Sequence, residues 1–121
     1  METTERPPGK TTIAPGVLAT IIRLTALQVD GVSQLAQIPA SVNTFFSRSR
    51  EEGVQITVED DGSVYADLHL ILTDKANIRE TSKKVQDEVS HAISKMVGMN
   101  VGSINVHIED IDYQNNKDSE A

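Results

Sequence analysis

The sequence predicts an α+β fold, a two-layer sandwich in the order β-α-β-β-α-β with an antiparallel or mixed sheet and both helices on one face. Two observations carry the prediction. First, three stretches alternate apolar and polar residues with the period of a half-buried strand, and in all three the even positions are apolar: Val54, Ile56, Val58; then Val64, Ala66, Leu68, Leu70, Leu72; then Ile104, Val106, Ile108. Second, two longer stretches carry apolar residues at helical spacing, one ahead of the strands and one between the second pair. At 121 residues the chain can bury a core without staples. The expected organisation is a tail over 1–9, one domain over 10–113 and a tail over 114–121.

In chain order, Lys10 to Ala14 is a short first strand, and Pro15 stands where a first helical turn tolerates proline. The first helix runs to about Val29, with Gly31 as its stop. Its apolar face reads Val17, Leu18, Ile21, Ile22, Leu24, Thr25, Gln28 and Val29. The opposite face, Ala19, Thr20, Arg23, Ala26 and Leu27, carries a single charge, which fits either crowding by the following loop or contact with another subunit. Residues 33–52 follow neither period. Pro39 can open a short helix with Val42, Phe45 and Phe46 on one side and Arg48 and Arg50 after it, which either lids the core or docks on a partner or lipid surface.

Gly53 to Val58 and Val64 to Leu72 form a hairpin through Asp61-Gly62, a strong turn signal. The acids around that turn lack the ligand spacing of a calcium loop. The second helix starts at Asn77 with Glu80 three residues on, a capping box, and ends at Gly98. Its buried stripe is Ile78, Val85, Val89, Ala92, Ile93 and Met96, and Glu80 to Lys84 is a favourable i, i+4 pair on the wet face. The last strand runs from Val101 to about Ile111.

Several classes of function are excluded by composition. With no cysteine, thiolate catalysis, zinc fingers and iron–sulfur ligation are out. The opening Met1-Glu2-Thr3-Thr4-Glu5-Arg6-Pro7-Pro8 has neither the basic nor the apolar region of a signal peptide, so a cytoplasmic protein is expected. A net charge of −7 argues against nucleic acid as partner. RNA-recognition modules share the element order, but only Tyr65 could stack a base on the sheet. No nucleophile–base order, phosphate loop or buried acid pair is visible, and no cofactor is expected.

The outer sheet face carries Asp67, His69 and His107, with Glu59 and Glu109 beside them, and these are the residues a metal or small ligand would use. In the expected strand order the first strand separates the third from the fourth. His69 and His107 then stand about two strand spacings apart, beyond the reach of one zinc ion.

Gly9-Lys10-Thr11-Thr12-Ile13-Ala14-Pro15 before an aliphatic helix, Val29-Asp30-Gly31-Val32, Gly53 to Val58, Val64 to Leu72, and Gly98-Met99-Asn100-Val101 with Ile104 to Ile108 and Asp110-Ile111 together resemble the bacterial alkaline shock protein family over residues 9–112. Thr11-Thr12 and the Phe-containing 39–50 segment depart from the pattern. The resemblance implies a small, cytoplasmic, non-enzymatic protein of cell-envelope stress and wall homeostasis, with a membrane-embedded relative as one kind of partner. It defines no catalytic residues. The expected contact residues are Ala19, Arg23, Ala26 and Leu27 for self-association, Phe45, Phe46 and Arg48 for docking, and Tyr65 and His69 on the sheet.

Overall fold

The computed structural model describes residues 12–37, 49–51 and 53–113. The expected tails and the segment holding Phe45, Phe46 and Arg48 lie outside the described residues. Helix α1 (Pro15–Leu27) leads into strand β1 (Val32–Leu35), and β2 (Ser49–Glu51), β3 (Val54–Val58) and β4 (Val64–Thr73) follow. Helix α2 (Ile78–His91) continues through a π-helical turn (Ala92–Val97) to β5 (Val101–Asp112). The class is α+β. Its element order differs from the expected one.

The expected first strand is absent over its described part. Thr12–Ala14 have no regular structure, and the Ala14 carbonyl instead accepts the amides of Val17 and Leu18 at the start of α1. Both edges of β4 are filled by other strands, which is the physical reason. On one edge β3 pairs antiparallel along Val64–Leu68 and β1 along Leu70–Leu72; on the other, β5 runs parallel from Val64 to Thr73. The sheet is therefore mixed. The parallel pair needs a crossover, and α2 supplies it. Gln86 of α2 donates to the Ile104 carbonyl of β5 at 3.0 Å, tying the crossover to its strand.

The even positions of β4, Val64, Ala66, Leu68, Leu70 and Leu72, are fully buried, with Val54, Ile56 and Ile104 beside them. Over them pack Leu18, Ala19, Ile22 and Ala26 of α1 and Val85, Val89 and Ile93 from α2 and its π turn, so both helices share one face. Val58, at the exposed end of the hairpin, is the exception to the parity.

Two helical expectations are corrected. Helix α1 ends at Leu27, and its faces are turned: Ala19 and Ala26 are at 0% exposure while Val17 and Leu24 are at 51% and 48%. Two alanines seven residues apart make a smooth stripe that lets the backbone approach the sheet, and Leu18 and Ile22 fill the space alongside. In α2, Asn77 caps as expected, its side chain accepting the Glu80 amide at 3.0 Å. Ile78 and Met96, however, are exposed. The wider turn from Ala92 shifts the angular register, so Met96 no longer follows Ile93 into the core.

Candidate functional site

The fold leaves the odd face of β3, β4 and β5 without a covering element among the described residues. Its centre is His69. At this residue the edge of β4 changes partner: the His69 amide donates to the Gly53 carbonyl at 2.9 Å, and the His69 carbonyl accepts the Ala36 amide at 2.8 Å. Gly53 has a φ of 72°, and a Cβ there would lie 2.7 Å from Leu35 Cβ and 2.8 Å from the Ala36 carbonyl oxygen. Two strand ends and one glycine thus hold the His69 backbone.

The expected separation of His69 from His107 is overturned. With no strand between β4 and β5, the two are direct register partners, and their rings stack with centroids 4.6 Å apart and planes 16° from parallel. Each ring has its own carboxylate. His69 Nδ1 lies 2.7 Å from Glu109 Oε2, and His107 Nε2 lies 3.0 Å from Asp67 Oδ1. An ionised carboxylate only accepts, so those two nitrogens carry protons, and in the neutral form of each ring the other nitrogen is the one that keeps a lone pair. The result is a four-member row, Glu109–His69–His107–Asp67, set diagonally across two parallel strands.

Around the row, Tyr65 lays its ring over Gly102, where a Cβ would collide with it. The Gln55 amide nitrogen is buried without a hydrogen-bond partner among the described residues. At the far end, Ser33 of β1 donates to Asp112 Oδ2 of β5 at 2.7 Å. Glu59, expected near the histidines, stands at the hairpin end of β3 instead. Of the expected contact residues, Tyr65 and His69 share this face. Ala19 and Ala26 are core, and Arg23 and Leu27 are half-buried on α1.

Parity alone places His69 and His107 on one face; their adjacency depends on strand order. A usable signal was present, since consecutive strands joined by one amphipathic helix usually lie side by side. Gly53 and Gly102 carry no such signal, because the atoms that require them come from Leu35 and Tyr65, 18 and 37 residues away in sequence.

The sequence pattern of the alkaline shock protein 23 family, described as having a cell envelope-related function, matches residues 3–113. The chain belongs to that family. It is 31% identical over 103 residues to Uncharacterized protein Spy1535 of Streptococcus pyogenes serotype M6, covering 85% of this chain and 79% of that one. It is also 29% identical over 107 residues to Uncharacterized protein YqhY of Bacillus subtilis, covering 87% and 78%. Among solved structures it is similar to variants of the MamM CTD, at a TM-score of 0.48 and 14% identity in one case, over 77% of this chain and 92% of that one. No described helix is long and apolar enough to cross a membrane.

Proposed function

We propose that this family member is a non-catalytic protein-binding module of the cell-envelope stress response, working at the cytoplasmic side through self-association and a membrane-associated partner. One observation carries the reading: among the described residues no element covers the outer face of the sheet, and its ionisable side chains are tied to one another across β4 and β5 rather than gathered around a cleft. A flat, internally paired surface suits contact with another protein more than turnover of a small substrate.

For self-association, the contact surface moves from Ala19 and Ala26 to the exposed apolar residues of the same helix. Val17 and Leu24 stand two turns apart on one stripe of α1, where apolar side chains gain by being covered. Light scattering of the purified chain tests this. Leu24→Glu should lower the apparent mass and leave the circular dichroism spectrum unchanged, whereas Ala26→Glu should unfold the chain. A wild-type protein that stays monomeric at high concentration refutes the self-association part. Recovery of the chain in the membrane fraction that depends on Tyr65, scored with Tyr65→Glu, tests the partner part.

A further inference from the structure

We propose that His69 and His107 form an open binding site for a divalent transition-metal ion, with Glu109 and Asp67 as its positioning residues. The side-chain geometry carries this site independently of any partner-binding role. Histidines that ligate metals characteristically donate their second ring N–H to a carboxylate, which fixes the tautomer and makes the ligating nitrogen more basic. Both histidines already have that arrangement: the Nδ1 of His69 is engaged by Glu109 and the Nε2 of His107 by Asp67, leaving Nε2 of His69 and Nδ1 of His107 as donors of lone pairs.

The two rings are also close enough to share an ion once they reorient. A ligating nitrogen about 2.0–2.1 Å from the ion puts its ring centroid about 3.2 Å away, and two neighbouring ligands then have centroids about 4.5–5.2 Å apart. The observed separation is 4.6 Å. Near-parallel rings cannot both aim a lone pair at one point, so binding turns the rings out of their stack, with the exposed Glu109 and Asp67 side chains following them; the strands, already in register, need not move. Among the described residues no three His, Cys, Asp or Glu side chains are grouped to hold an ion, so two imidazoles supply the protein ligands and water the rest. Imidazole donors favour copper, nickel and zinc, and affinity should run highest for Cu(II).

The test uses the untagged full chain, stripped with chelator, titrated calorimetrically with Cu(II), Ni(II) and Zn(II) at pH 7. Saturable binding of one ion per chain is expected, tightest for Cu(II). Trace Cu(II) should broaden the NMR ring-proton signals of His69 and His107 before that of His91, the third histidine. His69→Gln and His107→Gln should each weaken binding at least ~10-fold, Glu109→Gln and Asp67→Asn by about 10-fold, and His91→Gln should not change it. Circular dichroism melting confirms that each variant is folded. Absence of saturable binding, or binding that survives His69→Gln with His107→Gln, overturns the site. The apparent mass and membrane recovery of that double variant are scored separately, so loss of the metal site and failure of the partner reading give different patterns.

Discussion

The two faces of β4 are built from alternate residues of one strand, yet different forces specify them. On the inner face Ala66, Leu68 and Leu70 are at zero exposure, and burial of apolar area supplies the stabilisation at about 25 cal/mol per Å². On the outer face Asp67 and His69 make exposed, directional bonds to His107 and Glu109. Such pairs are worth about 0–1 kcal/mol each when solvent reaches them. The inner face therefore carries the fold, and the outer face is free to be shaped by what it contacts.

The largest expected effect breaks this contrast if it fails. Leu68→Asp puts a charge into the core opposite Val54 and Val106, at a cost of several kcal/mol against a total stability of about 5–15. The chain should lose cooperative melting. His69→Gln, one residue along, removes the stack and the Glu109 bond and should cost about 1 kcal/mol or less. Urea denaturation of both variants gives the comparison, and similar losses would mean that the outer face is structural as well.

The same contrast explains what was legible in the sequence. The inner face could be read because Val64 to Leu72 repeats over five even positions, and α2 because its charged and apolar residues separate cleanly. Helix α1 has apolar residues all round, so periodicity could not say which side the sheet takes. Its buried stripe was set by the small size of Ala19 and Ala26, a packing property rather than a hydropathy one. Strand β1 was missed because Val32-Ser33-Gln34-Leu35 is four residues long and contains a register shift, so no alternation develops. The residues of the candidate site were all visible; their meeting was not, because it depends on β5 taking the place assigned to a strand at Lys10–Ala14.

A middle-sized effect sharpens the comparison at two glycines. Gly53 combines a left-handed φ of 72° with contacts to Leu35 Cβ and to the Ala36 and His69 carbonyls that cannot move without breaking the junction of β1 and β3. Gly53→Ala should cost about 2–5 kcal/mol, the sum of a left-handed alanine and an overpacked contact. At Gly102 the nearest atoms to an added Cβ all belong to the Tyr65 ring, the end of a side chain that can swing into solvent. Gly102→Ala should cost less than half as much in urea denaturation and should change the Tyr65 fluorescence. An equal cost at both positions would mean that the Tyr65 ring is held as firmly as the backbone.

The smallest effect lies on neither face, in the turn between β3 and β4. The Ser63 amide donates to Asp61 Oδ1 at 2.9 Å, while the Glu59 carbonyl accepts the Gly62 amide at 2.8 Å. The Ser63 backbone bond is the main cause holding the Asp61 carboxyl below the ordinary aspartate range. Because the folded state favours the charged form, the stabilisation is present above the unfolded aspartate value of about 4 and is lost as the pH falls through the lower folded value. Asp61→Asn keeps an acceptor for Ser63 but removes the charge. The wild-type chain should therefore have a slightly higher urea midpoint than Asp61→Asn at pH 7, and the gap should close on acidification below the ordinary aspartate range. A gap that persists unchanged in acid would show that the turn depends on the shape of the side chain and not on its charge. Full exposure of this carboxylate makes it the natural lower bound against which the His69 and His107 pairs can be measured: substitutions in the stacked row should exceed the Asp61 effect, because two rings and two carboxylates there hold one another.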